Sequence, residues 1–469
     1  MLKKLFTNTL VYGLAPFVPK LAGFFALPII TKDLTDVDFG VFGIITAYVT
    51  AISAFSLLGL KVVFASSFYH YPNNYKWRWR QLYGFLIVWM IVFALFLSII
   101  IYISCPNEAK IHVFYIIILN VFPIVFFGPT AEIGQRYYQL NQRPFPIAVR
   151  SIVFGLLSVI LNVFFISYLK LHYMGWFLSS CIVGVLNNVS YWYVLNISQR
   201  IAPIFNFRWK TIKHSLSIAL PTIPHFYASY LVNGFERVIM NQYSIPTKDI
   251  GHYNMANTFA GYPTNLTNAL AFAISPMLME LYKKNEYIRV RNLIFLLESL
   301  FIAGTFTICI WMKEIFYLLV KNESLQSAYP LAIILIMAMN YRPIYFAVNS
   351  LFIFKEKTNA IWKITLFGGL MAVICNIIFI PLFGYKSVVV SSFMAYSSWG
   401  IVGFYLKDFK KCCSERYYPF RWFTLYSLLT ILAFWCVEIN WIFKILLSVV
   451  SCIFAGYFLY KYSKKWNLI

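Results

Sequence analysis

The chain has 469 residues, is 61% hydrophobic and 20% aromatic, and is only 12% charged, with a mean hydropathy of +0.71. A soluble domain holds about 45–50% apolar and about 25% charged residues, so a soluble enzyme, a disordered tail and a nucleic-acid-binding domain are excluded. Lys and Arg number 39 against 16 Asp and Glu, a net charge of +23; on a polytopic membrane protein that excess points to cytoplasmic loops.

In chain order, apolar runs predict fourteen membrane helices: 10–30, 39–60, 82–104, 111–131, 147–169, 173–197, 215–234, 251–274, 292–312, 329–352, 361–382, 387–406, 422–437 and 442–460. They are helices because backbone groups find no water in lipid, and because the runs are too long, and lack the alternation, for barrel strands. Met1-Leu2-Lys3-Lys4 precedes a run that reaches Ile30 without a small-x-small cleavage site, so an uncleaved first span is expected. No connection is long enough for a soluble domain. The eight cysteines are scattered without a CxxC pair, giving neither a zinc site nor a disulfide framework.

An even number of spans puts both termini on one side. The loops on that side hold 28 basic residues and the opposite loops 9, with Lys20 and Arg342 left inside spans. The positive-inside rule therefore makes both termini cytoplasmic in a multi-pass plasma-membrane protein.

Three local matches recur in register. Pro16-Phe17-Val18-Pro19-Lys20 echoes Pro221-Thr222-Ile223-Pro224-His225, Asp38-Phe39-Gly40 echoes Asp249-Ile250-Gly251, and the segment 159–166 echoes 373–380. The offsets are 205, 211 and 214 residues, six spans apart. This predicts a parallel repeat, as in transporters built from paired bundles: an N-lobe at 1–197, a basic cytoplasmic linker at 198–213 and a C-lobe at 214–406. The segment 407–469 adds a cytoplasmic loop and two helices. The fold class is an all-α polytopic membrane protein with two pseudo-symmetric six-helix lobes and two C-terminal helices.

Charge inside a span costs at least about 2.5–3.5 kcal/mol, so Lys20 in span 1 and Arg342 in span 10, followed by the ladder-breaking Pro343, mark a polar passage. Thr222, His225, Ser229, Asn233 and Glu236 share one face of span 7; Asn254, Asn257, Gly261, Asn265 and Asn268 share one face of span 8. Lys20, His225 and Arg342 are expected to face one water-accessible chamber, with the asparagines offering amides to sugar hydroxyls. Packing and interhelical hydrogen bonding are the bland readings of the same residues. Glu298 is the one carboxylate deep in a span, a candidate for ion coupling or a partner for a buried cation. Glu236-Arg237 reads as a gate or orienting ion pair. Lys76-Trp77-Arg78-Trp79-Arg80 reads as an interfacial aromatic and basic belt, or as a guide for an anionic lipid head. No nucleotide or metal motif occurs, so no cofactor is expected, and energy is expected from an H+ or Na+ gradient or from the substrate's own gradient.

Fourteen spans in a 6 + 6 + 2 layout with paired Pro-x-x-Pro helices resemble the multidrug/oligosaccharidyl-lipid/polysaccharide (MOP) exporter superfamily. Ala219-Leu220-Pro221-Thr222-Ile223-Pro224, Gly234-Phe235-Glu236-Arg237, Ile250-Gly251-His252-Tyr253-Asn254-Met255-Ala256 and Ile380-Pro381-Leu382-Phe383-Gly384-Tyr385 resemble its polysaccharide-transporter branch, the Wzx-type O-antigen flippases. Relatives often carry Asp-Arg where Glu236-Arg237 stands here. The resemblance implies a flippase, not an enzyme. It implies movement of an undecaprenyl-pyrophosphate-linked oligosaccharide across the bacterial inner membrane, among membrane lipids and with polysaccharide polymerase machinery as a partner. A lipid II flippase, an ion-coupled multidrug exporter and a membrane glycosyltransferase or polymerase are the alternatives.

Overall fold

The computed structural model describes residues 15–466; side chains at 225, 272, 273, 276, 358 and 462–466 also lie outside the described set. Among the described residues every regular element is a helix. Ten helices are long and apolar enough to cross a membrane. The other four predicted spans are also helical, but each departs from that pattern. Phe17–Ile30 is short, and the seventh is broken into Trp209–Ala219, Leu220–Thr222 and Ile223–Asn233. Thr247–Lys283 is long and polar, and the thirteenth, expected at 422–437, is the eighteen-residue helix Pro419–Cys436.

Local sequence sets the helix ends. Thr35 and Asp38 form a reciprocal capping box at the start of Asp36–Ser53. Four helices close with a non-glycine residue in the left-handed region, Gln142, Ser244, Asn285 and Glu356. In each, the next amide reaches back five residues: Arg143 to Tyr138, Ile245 to Met240, Glu286 to Leu281 and Lys357 to Phe352. That is the Schellman closure, which satisfies carbonyls the helix end would orphan.

The chain forms two compact units, Met1–Tyr227 with Pro246–Lys248, and Ala228–Ile245 with Asp249–Ile469. The division falls beyond the basic linker expected at 198–213, because that segment is clasped to the first unit. Lys76 Nζ donates to the Gln199 carbonyl at 3.1 Å and Arg80 Nε to the Ala202 carbonyl at 2.9 Å. The Ile204 amide donates to the Arg80 carbonyl at 3.0 Å. Gly84 admits the Ile204 carbonyl, which would lie 2.0 Å from any added Cβ. Further on, Tyr227 Oη donates to the Ala51 carbonyl at 2.7 Å.

Within the first unit, Phe17–Ile30 packs on Phe145–Asn162, which packs on Tyr173–Trp192, then Val113–Phe127, then Tyr75–Ser104. In the second unit, Ala228 and Leu231 lie against Gly369 of Thr358–Phe383. That helix packs on Val388–Val402, which packs on Tyr341–Phe354, then Tyr287–Ile310. The same order of neighbours thus recurs six spans later. Ion pairs tie segments within each unit: Lys61 with Glu132 and Lys170 with Asp33 in the first, and Arg291 with Glu415, Lys357 with Asp408, Lys313 with Glu438 and Lys444 with Glu314 in the second.

Candidate functional site

Span 10 breaks at Met339-Asn340, between Tyr329–Ala338 and Tyr341–Phe354, three residues ahead of the proline expected to break it. Pro343 has no amide to give the Met339 carbonyl, and the Arg342 amide takes that acceptor at 3.0 Å. Asn340, fully buried, completes the junction: its Nδ2 donates to the Met337 carbonyl at 3.0 Å and its Oδ1 accepts from Thr305 at 2.9 Å. Buried backbone groups are thus paired around a kink.

The kink launches Arg342 into a polar strip within the second unit. Arg342 Nη2 donates to Asn268 Oδ1 at 3.1 Å, and its guanidinium carbon lies 5.7 Å from the Trp399 ring centre. Trp399 stacks on Tyr396 at 6.1 Å with an interplanar angle of 13°. Tyr396 Oη donates to Asn233 Oδ1 at 2.6 Å. One strip therefore joins spans 7, 8, 10 and 12. Among the described residues no carboxylate pairs with Arg342, so four of its five donors stay available to an acceptor. The aromatic pair was missed in the sequence. Its signal is Tyr396 and Trp399 three residues apart on a serine-rich helix, which places both on one face.

The asparagine stripe divides. Asn268 is exposed and bound to Arg342; Asn257 and Asn265 are half-buried. Asn254 is buried instead and accepts from Arg237 Nη1 at 3.1 Å. Arg237 Nε lies 3.6 Å from Glu236, itself 3% exposed, so these three residues form one packed knot.

Glu298 meets neither Lys20 nor Arg342. It is fully buried midway along Tyr287–Ile310, and it accepts a hydrogen bond from Tyr426 of Pro419–Cys436. Lys20 belongs to the first unit, is exposed, and stands in the first turn of Phe17–Ile30, since the described helix starts at Phe17. His225 lies on Ile223–Asn233, but its side chain lies outside the described residues.

The basic and aromatic segment is not a uniform belt. Trp79 is fully buried, its Nε1 donating to Ser67 Oγ at 3.0 Å and to the Phe64 carbonyl at 3.1 Å. Lys76 and Arg80 hold the linker, Trp77 is exposed, and the Arg78 guanidinium covers the Tyr71 ring at 3.4 Å.

Searches against known proteins agree with this architecture. The model of the family described as "Polysaccharide biosynthesis protein" matches residues 5–282. No curated protein matches the chain at a significant level. Among solved structures, the lipid II flippase MurJ in an inward closed conformation superposes with a TM-score of 0.70 at 15% identity, covering 96% of this chain and 99% of that one. An outward-facing multidrug resistance MATE transporter of the MOP superfamily gives 0.54 at 16% identity, over 91% of this chain and 96% of that one. A MOP superfamily transporter from Pyrococcus furiosus with a binding pocket of reverse polarity gives 0.52 at 15% identity, over 86% of this chain and 93% of that one. The shared fold is that of the MOP superfamily, and with the family model matching more than half of its residues, the chain belongs to the polysaccharide biosynthesis protein family.

Proposed function

We propose that the protein is a flippase, not an enzyme. It moves an undecaprenyl-pyrophosphate-linked oligosaccharide, the repeat unit of an O-antigen, capsule or exopolysaccharide, across the bacterial inner membrane. The observation that carries this reading is Arg342: a guanidinium inside a membrane protein, without a carboxylate among the described residues, flanked by an amide and an indole face. A fork of donors suits a pyrophosphate, and the amide and aromatic groups beside it suit sugar hydroxyls and ring faces. Alternating exposure of this polar surface would carry the anionic head and glycan while the lipid tail stays in the bilayer.

A lipid II-type substrate is the second reading, favoured by the likeness to MurJ over nearly the full length of both chains. A pump for organic cations fits poorly, since Arg342 repels them. The test is surface-glycan display in a deletion strain, normalised to inserted protein. Arg342→Gln should abolish display and Arg342→Lys should retain part of it. Wild-type display from both variants would remove Arg342 from substrate binding.

A further inference from the structure

Glu298 stands apart from the substrate-binding strip and has an environment of its own. Its side chain and that of Tyr426 are fully buried, and Tyr341 is 1% exposed. The rings of Tyr341 and Tyr426 meet edge to face at 4.9 Å, within an apolar cluster that includes Phe301 and Ile302. Tyr426 bonds one carboxyl oxygen, Oε2. The other, Oε1, has no hydrogen-bond partner of good geometry among the described residues, and the Tyr341 hydroxyl lies beside Ser427.

The groups facing the carboxyl come from three helices: Glu298's own, the Tyr341–Phe354 helix with the Tyr341 hydroxyl and the Ile344 amide, and the Pro419–Cys436 helix with Tyr426. The fourth helix packed here, Trp441–Trp466, spends its polar groups elsewhere: Ser451 on Thr307, Ser448 on Trp311, and Lys444 on Glu314. Arg342, next to Tyr341 in sequence, bonds Asn268. Among the described residues no cation pairs with Glu298.

A buried ionised carboxylate without a cation is among the costliest groups a fold can hold. A bound proton removes that cost, while the phenol still donates to Oε2.

We infer that Glu298 is a reversible proton-binding site, positioned by Tyr426, and that the C-terminal helix pair is thereby part of the machinery that couples a proton gradient to movement. On deprotonation the O–H bond breaks, its electron pair stays on Oε1, and the proton passes to water admitted from one side of the membrane. The carboxylate left behind holds Tyr426 more tightly and draws in water or a backbone donor, which shifts the helices it touches. The coupling rests on the flippase reading; the proton site does not.

The experiment is infrared spectroscopy of the full-length protein in liposomes, without substrate, titrated across neutral and alkaline pH. The expected result is a carboxylic-acid C=O band at neutral pH that Glu298→Gln removes and that fades as the pH rises. Tyr426→Phe should move the band, because the acid loses its hydrogen bond; a merely structural tyrosine would leave its position unchanged. Thermal unfolding of each variant checks that it is folded. The absence of a Glu298-dependent acid band in folded wild-type protein would overturn the proposal. So would a band that does not respond to pH. Neither result bears on surface-glycan display, so this proposal and the flippase reading fail separately.

Discussion

Among the described residues, Arg150 in the first unit and Arg342 in the second both lie on apolar helices without a carboxylate partner, yet the fold uses them in opposite ways. Arg150 donates from all three of its nitrogens: Nε to Ser190 Oγ at 3.0 Å, Nη1 to the Pro146 carbonyl at 3.0 Å and Nη2 to the Ser190 carbonyl at 3.3 Å. Its guanidinium also covers the Tyr191 ring at 4.6 Å. Arg342 makes one such bond, to an exposed asparagine. The first arginine is a staple between helices, and the second keeps its donors for something that is not protein. Net charge alone does not separate the two; the count of satisfied donors does.

The largest expected effect tests that difference at Arg342. Arg342→Gln should lower glycan display by roughly tenfold or more, the scale of one lost charge-assisted hydrogen bond or two. The protein should still insert, and its thermal midpoint should change little. Arg150→Gln should do the reverse. It should cost about 1–3 kcal/mol of stability, read as a lower unfolding midpoint in detergent, while display per inserted molecule stays near wild type. If Arg150→Gln lost display without losing stability, the two arginines would not be distinct.

A smaller effect is expected at the one bond Arg342 makes. Asn268→Ala should reduce display roughly threefold, the equivalent of about 0.6 kcal/mol for a membrane hydrogen bond. A loss as large as that of Arg342→Gln would mean that Asn268 itself binds substrate.

The smallest effect lies outside the membrane, where the loop after Pro419–Cys436 meets Lys313 and Tyr329. The Glu438 carboxyl is held below its usual range by the hydrogen bond from Lys313, then by that from Tyr329. A lowered carboxyl contributes stability that is present above its unfolded value and is lost as pH falls through the folded one. Acidification through and below the carboxylate range should therefore loosen this contact slightly, and Glu438→Gln should remove that part of the pH dependence. The pair is exposed, so salt should blunt it as well. Hydrogen exchange of the 437–444 backbone at two pH values would read it.

Much of the fold was legible because each membrane helix is announced by its own residues: a long apolar run must be a helix in lipid. The repeat was legible as echoed prolines and acidic starts, and the same packing order recurs six spans later in the second unit. What was not legible is long-range. Glu298 and Tyr426 are 128 positions apart, and no local period links them. Asn254 shares a helical face with Asn265, but the neighbouring Arg237 claims it, and only packing reveals that. Trp79 looked like a belt residue because it alternates with arginines; helical geometry turns it into the core while Trp77 stays outside. The kink of span 10 was expected at Pro343, yet it falls at Met339-Asn340, because a proline removes a bond to the residue four positions earlier.

The account's central claim is that Arg342 is held open for the anionic head of a lipid-linked glycan. Its most direct test is translocation by the purified full-length protein in liposomes, using a fluorescent lipid-pyrophosphate oligosaccharide placed in one leaflet. The account predicts that wild-type protein carries the glycan to the opposite leaflet faster than empty liposomes do, that Arg342→Gln falls to the empty-liposome rate, and that Arg342→Lys lies between. Equal rates for wild type and Arg342→Gln, or a wild type no faster than lipid alone, would contradict it.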